Sequence, residues 1–395
     1  MQLDFGHGFV PRIDKRNWAG VDSALGPPGR LPFDDPLDLP WAIVDLALAH
    51  RKPTVVTDLH AHGVKVLGDS SAWRYRESST FAVDAMMNLP YAPSEPIGAV
   101  GCSVADFVEA ELRHQEACHV DAYLIPGFVP RDKLDDVSDL TLTAVDAALR
   151  MADLTPKPFI AYVGTHTEQP DLTVRLLNEI SRSIEGVYLQ ITPFAPQSDS
   201  PSKIIRCAEL AHHASTDFTV IAGRAGGAGN LFRVLGVHAT DAGLGDGETF
   251  NFGSTTRARK PSESMKGKGT GRRLYVPPIS MSVPGKVHAM LSTTPGLQHL
   301  VRCSLPCCRF HSLDTSRARA VEHSLRSRVA EASTSHDLPP SMRIERLHAE
   351  LESKRSTLTA CNTVLTAIGE TPLRRLHLDN QIAALARLLA RPNVA

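Results

Sequence analysis

Short runs of apolar, often β-branched residues recur along the chain between longer amphipathic stretches. Thr54 to Val56, Val64 to Leu67, Ala122 to Ile125, Phe159 to Val163, Val187 to Ile191 and Phe218 to Ala222 each read as a buried strand. Val104 to Gln115, Leu140 to Met151, Leu172 to Ile184 and Ser202 to Ala214 carry helical spacing between them. Strand then helix, repeated, implies a parallel sheet. We expect an α/β fold, a (β/α)8 TIM-like barrel over residues 1–300, with a zinc-binding element and helical appendage over 301–395. The first 40 residues, rich in Pro and Gly, read as an irregular wrap, and from Met342 onward MRIERLHAELES and LDNQIAALARLLA are amphipathic.

Polar and reactive residues gather just after the strands, in GDSSAWRY (68–75), IPGFVP (125–130), VGTHTE (163–168), ITPFAP (191–196) and AGRAGGAGN (222–230). In a parallel barrel such strand ends form the active face. Composition adds bounds. At 395 residues, 42% hydrophobic and 22% charged, the chain can bury a full core, and the net charge of -1 does not by itself select a partner. No stretch approaches the roughly 20 apolar residues of a membrane span, and the amino terminus lacks a signal-peptide pattern. Seven cysteines, three of them crowded at 303, 307 and 308, suggest a reducing compartment and a metal rather than disulfides. A cytoplasmic protein is expected, with no membrane partner and with a homodimer allowed.

Asp69 ends an apolar strand and is followed by small residues, then by Trp73 and Tyr75, which are placed to stack on a flat ring. Asp241, in GVHATDAG after the Gly-rich turn at 223–229, is a second carboxylate at a strand-like end. Two acids facing one cavity suit glycosidic cleavage, in which one carboxylate meets the oxocarbenium-like carbon and the other handles the proton of the leaving group. GRAGGAG lacks the lysine of a Walker loop and is a weak phosphate signal. Between Thr256 and Arg273 the chain carries seven basic residues and one acid, Arg257, Arg259 and Lys260 among them, as a phosphate-backbone contact would need. Cys303, Cys307, Cys308 and His311, with His323 beyond, supply thiols and imidazole suited to a structural tetrahedral zinc.

Together these segments, across roughly residues 50–330, resemble the tRNA-guanine transglycosylase superfamily, with its DNA-directed branch and the related phage-defence DNA glycosylases. GDSSAWRY looks like the family's Asp-Ser-Gly-Gly-Phe-Gln, which implies that Asp69 is the acid that meets the base. GVHATDAG with TTRARK is similar to Gly-Ile-Asp-x-Phe-Asp-Cys and its following Thr-Arg element, which implies Asp241 as nucleophile and Arg257 as a phosphate contact. The zinc pattern, Cys-x-Cys-x2-Cys and a later His, implies Cys303, Cys308 and His323. Leu305 stands at its middle thiol, for which Cys307 substitutes, and His311 is the alternative to His323.

Asp-Ser-Ser-Ala in place of Asp-Ser-Gly-Gly, and IPGFVP and ITPFAP in place of the guanine-reading segments, point away from guanine toward another, modified base, with Gln190 among the residues that hold it. The expected function is cleavage of an N-glycosidic bond in nucleic acid, DNA favoured over tRNA, leaving an abasic site and serving anti-phage defence. Base exchange by a transglycosylase is the alternative. A different class competes: Asp58, His60 and His62, in TDLHAHG, resemble the metal-binding opening of amidohydrolases, with His166 and Asp241 as further ligands. A catalytically dead nucleic-acid-binding barrel would keep the basic loop and zinc while losing the acids; both acids are present.

Overall fold

The computed structural model describes residues 3–26, 37–76, 87–97, 102–151, 153–180, 183–244, 273–301, 305, 317–336 and 338–391. Eight parallel strands, β1 (Phe9–Ile13), β2 (Trp41–Asp45), β3 (Lys65–Asp69), β4 (Tyr123–Ile125), β5 (Phe159–His166), β6 (Gly186–Thr192), β7 (Thr219–Gly223) and β8 (Ala239–Gly243), run in the order β3-β2-β1-β8-β7-β6-β5-β4. A bridge from Leu67 to Ala122 joins the two ends into a nearly closed barrel. The chain has the (β/α)8 TIM-like fold, with helices at its carboxy-terminal end. No helix among the described residues is long and apolar enough to cross a membrane.

Alternation along each strand sends one set of side chains inward. Val10, Ile43, Leu67, Leu124, Ile160, Tyr188, Ile221 and Ala239, one from each strand, belong to a single interior cluster. Leu3 and Phe5 join it at the amino-terminal end of the strands, where Phe5 stacks at 5.3 Å on Trp41 and the indole donates to the Asp4 carbonyl. These residues form the floor of the barrel. A second, larger cluster packs the outer strand faces against the helices. Local chemistry sets helix starts: Ser103 and Ser200 accept backbone N–H bonds at the heads of Val104–Ala117 and Pro201–Ala214, the latter with proline in its first turn.

Three elements differ from the sequence-based expectation. Thr54 to Val56 is not a strand but opens the helix Thr54–Ala61, whose buried residues Val55, Val56 and Leu59 follow helical spacing. The irregular wrap contains β1 and the helix Trp18–Leu25, and β2 follows at once after it. Pro11 and the left-handed turns at Gly6 and Gly8 interrupt an otherwise apolar run, and proline inside a strand ordinarily marks an edge. Here β1 is central, paired to β2 on one side and β8 on the other. The helix Arg317–His336, placed by sequence in an appendage, packs on Trp18–Leu25 so closely that a Cβ at Gly20 would meet the Ala318 carbonyl at 2.4 Å. It also contacts β1, so it belongs to the barrel's outer ring. β9 (Arg273–Val276) and β10 (Met281–Pro284) form an antiparallel pair between β8 and this helix.

Candidate active site

All five polar segments singled out in the sequence lie at carboxy-terminal strand ends, the mouth of the barrel. Inward positions there carry charge: Arg12 on β1, Asp45 on β2, Asp69 on β3 and Asp241 on β8, with Tyr162 on β5 and Tyr188 and Gln190 on β6. Because the barrel closes β1 against β8, Arg12 reaches acids 57 and 229 positions away in sequence. Its Nη1 donates to Asp69 Oδ2, its Nε to Asp241 Oδ2 at 2.9 Å, and its Nη2 to the Tyr188 hydroxyl at 2.8 Å. The Tyr188 hydroxyl donates in turn to Asp241 Oδ2 at 3.1 Å, and the Arg224 N–H donates to Asp241 Oδ1. Asp69 Oδ1 accepts from the Ser71 N–H at 2.8 Å. The tilted rings of Tyr162 and Tyr188, with centroids 4.8 Å apart, form the wall beneath.

The electrostatics follow from this clasp. Burial works to raise the Asp69 carboxyl, but the Arg12 charge, the Ser71 N–H and Arg224 outweigh it and hold the group below the ordinary carboxylate range. Burial likewise opposes the Arg12 cation, yet Asp69, Tyr188 and Asp241 lift its pKa well above the ordinary value. Asp45, which also caps the helix Leu46–Arg51 through the Ala47 N–H, is raised by burial, with Asp69 repelling it. Behind β3 lies Glu111, fully buried, accepting from Ser70 Oγ at 2.7 Å and from Gln115 Nε2 at 3.1 Å; burial raises its carboxyl well above the usual range.

Asp69 and Asp241 therefore converge on one guanidinium. Their accessibility differs from the expectation. Asp241 has no exposed surface and Asp69 only 4%, because Arg12 and Tyr188 cover them. Asp241 is sealed beneath Arg12 and Tyr188 and is not an open nucleophile in this state. The expected stacking rings are also closed off. Trp73 joins the interior cluster with Arg74 over its ring, and Tyr75 faces outward into a cluster with Tyr91 and Phe107. The strand-end position that brings an aromatic near a pocket here turns Tyr75 into packing instead.

Gln190 lies in the lumen between two glycines in register, Gly164 on β5 and Gly223 on β7. Its Nε2 reaches the Ile191 and Gly223 carbonyls at 3.4 Å, while its Oε1 is buried with no partner. An orphaned acceptor costs free energy that a bound N–H donor would recover.

The amidohydrolase-like residues fall elsewhere. Asp58 and His60 lie on the helix Thr54–Ala61 and His62 just beyond it, all before β3 begins, so they sit at the amino-terminal end of the strands and not at the mouth. His60 Nε2 bonds Asp121 Oδ2 at 2.9 Å, ahead of β4, and His166 at the far end of β5 uses Nδ1 to accept the Glu168 N–H. The expected extended strand that would have aimed both histidines at one metal is a helix.

Arg257, Arg259, Lys260, Cys303, Cys307, Cys308 and His311 lie outside the described residues. Among the described residues no group of three or more His, Cys, Asp or Glu is placed to hold a metal. His323 is buried, with Nε2 2.9 Å from the Tyr275 carbonyl. The tautomer that donates from Nε2 is the one that would coordinate zinc through Nδ1, with the second ring nitrogen oriented by a carbonyl. His288, which sequence reasoning passed over, lines the same recess of about 350 Å³.

Sequence reasoning also missed Arg12, Asp45, Arg224 and Tyr188. Arg12 stands in VPRID, where the charged residue at the end of an apolar run was the available signal. No protein-family model matches the chain, and no curated protein matches it.

Proposed function

We propose that the chain is an enzyme that cleaves the N-glycosidic bond of a base in nucleic acid, DNA favoured, acting on a modified base extruded from the helix and leaving an abasic site. The observation that carries this reading is the meeting of Asp69 and Asp241, from β3 and β8, on the single cation of Arg12. The clasp is the resting state. An incoming nucleotide displaces Arg12, which uncovers Asp241 and removes the charge that keeps Asp69 ionised, so that Asp69 can take up a proton. Asp241 then attacks the anomeric carbon as the bond to the base breaks, and the base leaves with the proton from Asp69. Water, deprotonated by Asp69, hydrolyses the sugar ester and frees Asp241. Gln190 accepts an N–H of the base through its orphaned Oε1.

The basic run at 256–273 and the partly buried Arg74 and Arg224 at the mouth suit a phosphate backbone. If a second base rather than water attacks the sugar ester, the outcome is exchange, the transglycosylase reaction. Structural zinc held by Cys303, Cys307, Cys308 and His323, a cytoplasmic location and a defence role against phage belong to the same reading. Zinc measured in the purified protein should stand near one equivalent, survive His60→Ala with His62→Ala, and be lost with Cys308→Ala.

Incubation with unmodified DNA, phage DNA bearing hypermodified bases, and tRNA, followed by alkali treatment, tests the chemistry. Strand breaks at abasic sites are expected on modified DNA, and Asp241→Asn should abolish them, about 10³-fold or more, with the fold intact. Undiminished base release by Asp241→Asn would overturn the assignment.

A further inference from the structure

At the floor of the barrel, opposite the mouth, a recess of about 400 Å³ opens between the segment that plugs the strands and the carboxy-terminal helices. Its walls come from Phe5 and His7 ahead of β1, from His238 at the start of β8, from Arg233 at the end of the helix Gly229–Val234, and from Arg343 on the helix Pro340–Ala367. Arg233 is nine-tenths buried. Its Nη1 donates to the His7 carbonyl at 2.6 Å and its Nη2 to Asn230 Oδ1, while its Nε is buried with no partner. Every hydrogen bond it makes is to a neutral oxygen. Burial pushes its pKa down to about 10, against the opposing pull of Glu331 and Glu350, which the cations Arg328 and Arg343 partly offset.

A buried cation with no carboxylate in contact among the described residues is costly, and proteins ordinarily pair such a charge. The backbone is shaped to let this one in: Gly8, in the left-handed region, would place a Cβ 2.8 Å from the His238 carbonyl and 3.0 Å from Arg233 Cδ. Asp4 lines the recess but lies exposed, with its carboxylate turned to the Gly6 N–H. Both histidines present neutral chemistry. The His7 ring spans the Asp38 carbonyl and the Phe9 N–H, and His238 Nδ1 accepts the Val220 N–H, which leaves Nε2–H as a donor. Arg343 already donates from Nε to the Leu338 carbonyl at 2.7 Å, and apart from Asp4 the polar side chains that line the recess are cationic or neutral, beside the apolar Leu3, Phe5 and Val237.

We propose that this recess binds the phosphate of a small phosphate monoester, or inorganic phosphate itself, gripped between Arg233 and Arg343. The ligand bridges the barrel floor to the helix Pro340–Ala367 and so fixes the carboxy-terminal helices to the barrel. The volume exceeds what a bare phosphate needs and leaves room for an organic group against Phe5.

Titration of the full-length protein with inorganic phosphate and, separately, with a nucleoside 5′-monophosphate, at ionic strength held constant with chloride, tests the site by thermal unfolding and calorimetry. A saturable rise in Tm with a dissociation constant of about 1 mM or tighter is expected. Arg343→Gln should weaken it about tenfold or more while leaving Tm without phosphate within a few degrees; Arg233→Gln should do the same, and Arg343→Gln alone decides if Arg233→Gln fails to fold. Tighter binding of the monophosphate identifies an organic ligand, and equal binding identifies phosphate alone. No rise beyond that given by chloride, or a rise of equal size in Arg343→Gln, overturns the proposal. Base release at the mouth is a separate readout, so either reading can fail alone.

Discussion

The two ends of the barrel lumen handle buried arginine in opposite ways. At the mouth Arg12 is held by two carboxylates and a phenol. At the floor Arg233 meets, among the described residues, only a carbonyl and an amide. Both cations are desolvated, so burial alone does not decide their state; the difference lies in which strand ends carry acids. A closed charge network is a stable resting arrangement that something must open, whereas an unbalanced cation is an open position that something can fill.

The sharpest way to break that contrast is to remove the two charges in turn. Arg12→Met should strand Asp69 and Asp241 as uncompensated buried acids and cost about 3–5 kcal/mol in denaturant unfolding at neutral pH. Arg233→Met removes a charge that no acid balances and should cost less, under about 2 kcal/mol, the loss being chiefly its bond to the His7 carbonyl. Equal costs would mean that the two ends do not differ in the way described here.

A smaller effect probes the wall behind the mouth. The Glu111 carboxyl is raised in the folded protein while in the unfolded chain it titrates near its ordinary value of 4.5. Its contribution to stability is therefore complete below that value and is lost as pH rises toward the folded pKa. Glu111→Gln keeps partners for Ser70 and Gln115 and escapes this loss. The variant should match the parent near pH 4 and become progressively more stable than it as pH rises toward 8. A difference that does not grow with pH would show that Glu111 is not held protonated. Asp69, whose carboxyl is held low, runs the other way. Its contribution is present above the ordinary carboxylate range and disappears as acid passes through the depressed value, so it leaves the window above pH 5 to Glu111.

Much of the architecture was legible because strand and helix periods differ. Five of the six strand assignments fall on β3 to β7, and the polar segments after them fall at the mouth. The failures have local causes. At 54–56 a run of three β-branched residues, two of them apolar, fits either period, and its continuation to Leu59 makes it a helix. At 9–13 a proline and two preceding glycines disguised a central strand. Tyr75 read as a stacking ring because its distance from Asp69 in sequence was short, but the 3-10 turn Ala72–Arg76 aims Trp73 inward and Tyr75 outward.

By itself the sequence determined the repeating βα order and the placement of Asp69 at the end of a strand, since both depend on side-chain periodicity over a few residues; Asp241 lies within β8. Tertiary structure alone decided that Arg12 lies between those acids, that Asp241 is covered, and that Arg233 is buried without one. The reason is closure: pairing β1 with β8 joins residues 229 positions apart, and no local pattern encodes which side chains then share a lumen. Charge balance inside a barrel is a property of the closed ring and not of any one strand.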